Sequence, residues 1–257
     1  LGAVALLIAG SLPGVVSATP NANGIVVNER VFNDCPITTL TVTNSYPSSV
    51  MIDDANLSCA GYANLHNWHF SEDGGATEAV FNNGDSFRFG ADLVISGTAE
   101  AEAGLQIAPW WSQDVDGRFN VRTTDGEIAC FGGRLPFFSF TGDFGIHYVK
   151  GDAIHLEVTY DPQGNSMSNP ATITYSLMYN GSSYSSGALP FDEGNPAEGY
   201  GSWGMLDDAR VGGYVQVFMQ NGNTAAEAGA EWSNVEYGVL QVVAVEPATW
   251  GEVKARF

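Results

Sequence analysis

The chain has 257 residues, 44% of them hydrophobic and 12% aromatic, with 29 acidic side chains against 9 basic ones and a net charge of −20. That length and apolar content supply a sizeable core and exclude a disordered polyanion. The charge speaks against nucleic acid as a partner, and without a basic amphipathic helix a lipid surface is no better.

Residues 1 to 18, LGAVALLIAGSLPGVVSA, form an uncharged apolar stretch broken by Pro13 and Gly14 and ending in Val16-Ser17-Ala18. Small residues at the first and third places before a cut suit signal peptidase, so a cleaved leader is the first reading. A hydrophobic arm retained for assembly and a buried first strand are the alternatives. The stretch is too short and too interrupted to be a stable membrane span. Residues 19 to 245 then read as one domain, whose part from 25 to 80 is partly loop-rich and caps one end. Cys35 and Cys59 flank a loop-rich region, and in an exported chain they form the expected disulfide, worth on the order of 3 kcal/mol. Cys130, in EIACFGG, is left over as a buried small hydrophobe, with pairing to Cys35 or Cys59 as the alternative.

Further along, the dominant period is two. FRFGADLVIS puts Phe87, Phe89, Ala91, Leu93 and Ile95 on one face, IHLEVTYD does the same with Ile154, Leu156, Val158 and Tyr160, and TITYSLMYNG with Ile173, Tyr175, Leu177 and Tyr179. Turn signals such as Asn83-Gly84, Asp125-Gly126, Asn180-Gly181 and Asn221-Gly222 recur between these runs. The pattern predicts an all-β fold: a two-sheet antiparallel sandwich. Helical candidates are few, 201–208 and 225–231. Residues 246 to 257 follow the last strand and, with Pro247 closing any ladder, read as a tail or short helix.

The order GDSFRFGADLVISG, GLQIAPWW, DGRFNVRTTDGEIACFGG, HYVKGDAIHLEVTYDPQGNSMSNPATITYSLMYNG, GGYVQVFMQNG and AEWSNVEYGVL resembles the concanavalin A-like lectin/glucanase and laminin G-like jelly rolls. The likeness covers roughly residues 85 to 243 and implies a jelly roll, in a superfamily shared by lectins, glycosidases, polysaccharide lyases and structural modules. The closing TWGEVKA also resembles a segment near the ends of some bacterial exported surface proteins, which implies a secreted or cell-surface location.

Glycosidases of this fold carry catalytic carboxylates as E-x-D-x-E or E-x-D-x-x-E on one strand, and the chain has no such run. Lyases of this fold need a cationic or amide group to neutralise a uronate carboxylate, plus a Tyr or His to move protons. Alternating polar positions offer Gln106, Arg122, Tyr214 and Gln216 as ligand-binding candidates, with Asn120 beside Arg122 in the same pattern. Yet the R-[ST]-E-x-R and Q-I-H signatures are missing, and Ala108 stands where the His of the second would be. His66 and His69, three apart in a loop-like LHNWHF, read as ordinary polar residues rather than a metal pair. Trp110 and Trp111 read either as a cap on the sandwich or as a stacking platform for a sugar. Asp53, Asp54, Asp161, Asn165, Asp207 and Asp208 are the candidates for structural calcium, the one cofactor that the acidic composition suggests.

These readings lead to a secreted or cell-surface module that binds a glycan or contributes to extracellular structure, and to an answer of no rather than yes for enzymatic activity. A polysaccharide lyase or glycoside hydrolase of the same fold is one alternative. The other is a homo-oligomer or filament subunit assembled through the apolar N-terminal arm.

Overall fold

The period-two segments become strands in the computed structural model, which describes residues 18–108, 117–191 and 203–240. In chain order these are β1 (Gly24–Asn33), β2 (Thr39–Ser45), β3 (Ser49–Ala55), β4 (Ala63–Ser71), β5 (Phe87–Gly97), β6 (Ala101–Ala108), β7 (Arg118–Arg122), β8 (Ile128–Phe131) and β9 (Phe138–Ser139). A five-residue helix, α1 (Phe140–Phe144), precedes β10 (Ile154–Asp161), β11 (Thr172–Tyr179), β12 (Ser182–Pro190), β13 (Arg210–Phe218) and β14 (Glu227–Val239). They pair into two seven-stranded antiparallel sheets, ordered β1-β4-β13-β6-β7-β8-β9 and β12-β11-β10-β5-β14-β3-β2. The expected two-sheet jelly-roll sandwich is what forms, and the stretch from 25 to 80 supplies four of its strands.

The core lies between the sheets. Phe87, Phe89, Leu93 and Ile95 of β5, Leu156 and Tyr160 of β10, and Ile173 and Tyr175 of β11 enter it from the second sheet. Trp68 and Phe70 of β4 and Val211, Val215 and Val217 of β13 meet them from the first. Trp68 stands edge-on to Trp232 of β14, with centroids 5.9 Å apart, and the Trp232 indole N–H donates to the Gly104 carbonyl at 3.1 Å. This contact has a requirement. A Cβ at Gly213 would lie 2.6 Å from Trp68 Nε1 and 2.9 Å from Trp232 Nε1, so only glycine leaves room for both rings.

Of the helical candidates, 225–231 is overturned. Ala226, Ala228 and Ala230 alternate into the core, and pairing with β3 and β5 makes the segment from Glu227 onward a strand. Such alanines satisfy a period of two as well as a helical one, and the flanking strands decide. Residues 203–208 of the other candidate form bends and turns. The helix that does form, α1, is too short to leave a 3.6-residue signature. Ser139 caps it by accepting from Gly142 N at 2.9 Å, and Gly145 ends it in the left-handed region. It closes one side of the sandwich by setting Phe140 on Phe119 and Phe144 against Tyr184.

Cys35 and Cys59 are joined, and Cys130 is a buried free thiol whose pKa burial pushes well up. Among the described residues no helix is long and apolar enough to cross a membrane.

Two outcomes test this core. Trp232→Ala should cost about 3–5 kcal/mol in denaturant unfolding through lost burial and a cavity. Gly213→Ala should cost about 1–3 kcal/mol by overpacking, although it adds a single methyl group.

Candidate active site

Strand register fixes which side chains share the outer face of the first sheet. Trp68 and Phe70 point inward, so their neighbours Asn67 and His69 point out. Cross-strand pairing carries that face through three rows. The first runs Val26, His69, Gly212, Gln106, Arg118 and Phe131. The second runs Asn28, Asn67, Tyr214, Gly104, Asn120 and Ala129. The third holds Leu65, Gln216, Glu102 and Arg122. An outer face is expected to be wet and charged. Instead Asn67, His69, Asn120 and Tyr214 are all 0% exposed and Gln106 is 1% exposed, a set of buried amide, imidazole and phenol groups outside the hydrophobic core.

Glycines shape the two central rows. Gly212 lies between His69 and Gln106, and Gly104 lies between Tyr214 and Asn120. A Cβ at either would fall within 2 Å of a neighbouring strand's carbonyl oxygen, that of Trp68 or of Phe119. With no side chain on Gly104, the Tyr214 hydroxyl reaches across the strand to donate to Asn120 Oδ1. Arg118 covers the Tyr214 ring, its guanidinium carbon 4.5 Å from the centroid. The same guanidinium donates to Glu102 Oε1 at 2.5 Å and to Gln216 Oε1 at 3.4 Å. Burial pushes the Tyr214 phenol well above its ordinary pKa, against the pull of Arg118, so it holds its proton. Burial also raises the Glu102 carboxyl, with Arg118 acting in the opposite direction.

The loop after β4 brings Glu78 over His69. Glu78 Oε1 lies 2.8 Å from His69 Nδ1 and accepts from Asn28 Nδ2 at 2.7 Å, while Arg210 Nε is 3.3 Å from Glu78 Oε2. The hydrogen bond from His69 is the largest of the effects that hold this carboxyl down, to a pKa of about 2. Two buried atoms of the face, His69 Nε2 and Asn120 Nδ2, have no hydrogen-bond partner among the described residues. Groups left in that state are costly unless something else meets them.

The sequence candidates fall in different places. Gln106, Tyr214 and Gln216 share this face. Arg122 stands at its rim, held by Asp125 at 2.6 Å and Glu127 at 2.9 Å. Trp110 and Trp111 lie outside the described residues. His66 and His69 are on strand β4, not in a loop, and three residues along a strand put them on opposite faces. His66 turns into the sandwich, with Nε2 3.3 Å from Asp54 Oδ2.

The calcium candidates are scattered. Asp53 is on β3 opposite Gly229, and Asp54 is buried and accepts from Asn64 at 2.7 Å. Asp161 accepts from Gln163 N, Asp207 from Asn83 N, and Asp208 pairs with Arg210 at 2.8 Å, while Asn165 takes a positive φ. Among the described residues no group of three or more His, Cys, Asp or Glu could hold a metal ion.

Sequence reasoning missed Asn67, His69, Glu78, Glu102 and Arg118 as site residues. The run ANLHNWHFS is buried on both faces, so β4 shows no polar alternation to mark its outer side. Glu78 reaches the face from a loop, a position that strand periodicity does not encode.

No known protein family matches the chain, and none of the curated proteins does. Among solved structures it is similar to alginate lyase A1-II′ of polysaccharide lyase family 7, at 8% identity over 76% of this chain and 81% of that one, TM-score 0.46. It is similar to the alginate lyase of Klebsiella pneumoniae at 11% identity, over 77% and 84%, TM-score 0.43. The galactose-complexed lectin UEA-II matches at 9% identity over 85% of this chain and all of its own, TM-score 0.41. These likenesses concern architecture. The expectation that the chain is no enzyme is nevertheless corrected. Alginate lyases recur among the matches over 75–80% of the chain. In addition, the groups whose sequence signatures are missing are assembled on one face from different strands.

Glu78 makes the site's acid response measurable. Its pKa is depressed on folding, so its contribution to stability is complete above its ordinary value of 4.5 and is lost as pH falls toward about 2. Over that window the wild-type melting temperature should fall further than that of Glu78→Gln. Equal losses in the two proteins would show that the pair with His69 does not form.

Proposed function

We propose that the protein is a polysaccharide lyase that cleaves a uronate-containing glycan by β-elimination. The observation that carries the reading is the buried outer-face cluster of Tyr214, His69, Asn67, Asn120 and Gln106, with Arg118 over the phenol. Elimination needs three things: hydrogen bonds to the uronate carboxylate that stabilise the charge developing beside it, a base for the proton on the carbon bearing it, and an acid for the leaving oxygen. The amides of Asn120 and Gln106 are the carboxylate ligands in this reading. Arg118 is engaged by Glu102, Arg210 by Glu78 and Asp208, and Arg122 by Asp125 and Glu127, so no guanidinium of the face offers its full charge. Tyr214 is the acid, because its raised pKa keeps the proton on the hydroxyl until an alkoxide develops beside it.

Hydrolysis is the weaker fit. Glu78 and Glu102 are tied to opposite ends of the face, Glu78 to His69 in the first row and Glu102 opposite Gln216 in the third, whereas retaining glycosidases set their two carboxyls about 5 Å apart. The Cys35–Cys59 disulfide supports a secreted or surface-exposed enzyme working in an oxidising compartment.

Purified protein incubated with alginate, pectate, glucuronan and a neutral glucan should produce unsaturated ends from at least one of the uronates and none from the glucan. Reducing ends without unsaturation would mean hydrolysis and sink the proposal. Tyr214→Phe should lower turnover by about 100-fold or more. The same change should cost only about 1–3 kcal/mol of stability, as Asn120 loses its donor.

A further inference from the structure

We infer that the protein carries a second carbohydrate site, on the outer face of the second sheet, and that this site takes a neutral sugar; the inference does not rest on the elimination reading above. Register builds it. The side chains that alternate with the core residues of β5, β10 and β11 form two neighbouring rows there, Asp92, His155, Met178 and Ser183 in one, and Gly90, Glu157, Ser176 and Ser185 in the other. The serines are small beside their neighbours, and the surface sinks between His155, Glu157 and Met178 into a groove of about 280 Å³. A sheet face turned to water needs no fixed imidazole, yet this one is clamped. His155 Nδ1 lies 2.8 Å from Asp92 Oδ1, and Asp92 Oδ2 accepts from Asn234 Nδ2 at 2.8 Å. Asn234 reaches Asp92 from a bulge in β14, where the pairing with β5 slips between Ser233 and Glu236 and φ of Asn234 is 51°. Both oxygens of Asp92 are therefore engaged, and the ring is held from its Nδ1 side. A carboxylate only accepts, so Nδ1 carries the hydrogen of that bond, and the neutral ring keeps an acceptor at Nε2 for the groove it lines.

The groups on the groove select the ligand. Each serine hydroxyl donates and accepts, Glu157 accepts, and His155 Nε2 accepts, a set that matches sugar hydroxyls, which are themselves both donors and acceptors. Ser176 Oγ donates to Ser185 Oγ at 3.4 Å, a bond long enough to give way to a better partner. Met178, 52% exposed, adds apolar surface for the C–H face of a ring. Charge then decides between sugar classes. No Lys or Arg lines the groove, and the Arg88 guanidinium is set against Glu157 at 3.6 Å, while Asp92 and Glu157 stand beside the groove in a chain of net −20. A uronate would bring its carboxylate up to two others with no cation in the lining to meet it, and like charges set together in this way are repelled. A neutral hexose or pentose unit meets no such penalty. Combined with the uronate reading of the first sheet, the sandwich would hold a neutral glycan on one face and an anionic one on the other.

The test titrates the full chain with neutral tetrasaccharides of glucose, mannose, galactose and xylose, and with tetramers of mannuronate and guluronate, while NMR follows the histidine ring signals. His155→Ala identifies which of those signals belong to His155. At least one neutral probe should move them saturably, with a Kd of about 1–10 mM, the range open to a shallow groove that holds one or two sugar units. The oligouronates should leave them in place. Ser176→Leu fills the groove from a partly exposed position, and with His155→Ala it should raise the Kd about 10-fold or more, read on the resonances of the sugar. Thermal melts of the same samples report whether the variants fold, and the wild-type titration decides the matter if they do not. No saturable shift at His155 from any neutral probe, an oligouronate bound there instead, or a folded Ser176→Leu with an unchanged Kd overturns the site. Cleavage of uronate polymers is measured separately and stands or falls on its own.

Discussion

Close approach at the centre of the first sheet is the constraint on which the rest of the structure depends. Gly212 and Gly213 are consecutive, so their missing side chains open space on opposite faces of β13. Inside, the space at Gly213 is filled by the Trp68–Trp232 pair, which ties the two sheets together. Outside, the space at Gly212 lies between His69 and Gln106. Gly104, one strand over, repeats the arrangement: its carbonyl accepts from the Trp232 indole, and its bare outer position lets Tyr214 reach Asn120. Core packing and the geometry of the outer face are therefore set by the same three glycines. A side chain at any of them would disturb the packing of the sandwich and the arrangement of its outer face.

Electrostatics on that face follow from burial more than from net charge. The chain carries −20, and every guanidinium on the face is matched by at least one carboxylate. Pairing lets arginines stand in a poorly solvated region without an uncompensated charge. It also turns them from charge donors into scaffolding: Arg118 holds the Tyr214 ring, and Arg210 holds Glu78. In the proposed elimination, recognition of an anionic sugar falls to neutral amides, whose dipoles gain strength where water is scarce. The cost is a set of buried polar atoms, His69 Nε2 and Asn120 Nδ2 among them, that have no hydrogen-bond partner among the described residues.

Much of this protein could be read in its residues. Alternation in β5, β10 and β11, with Asn-Gly and Asp-Gly turns between strands, specified an all-β sandwich because a period of two survives wherever one strand face is buried and the other is wet. The same alternation picked out Gln106, Tyr214 and Gln216 for the face they do share. It failed where its premise fails: in β4, buried on both sides, and in the alanine-rich start of β14, where small residues suit a helix and a strand equally. Register lay beyond the sequence altogether. That β4 pairs with β13, and β13 with β6, joins residues more than a hundred positions apart, and only this pairing places His69, Tyr214 and Asn120 on one surface. Missing lyase signatures do not mean missing groups, because a motif records groups that are neighbours along one strand. Here the imidazole, the phenol and the amides of Gln106 and Asn120 come from four different strands, and Glu78 from a loop. Their meeting is decided by hydrogen-bonded strand order and by the glycines between them, and neither leaves a local pattern in the chain.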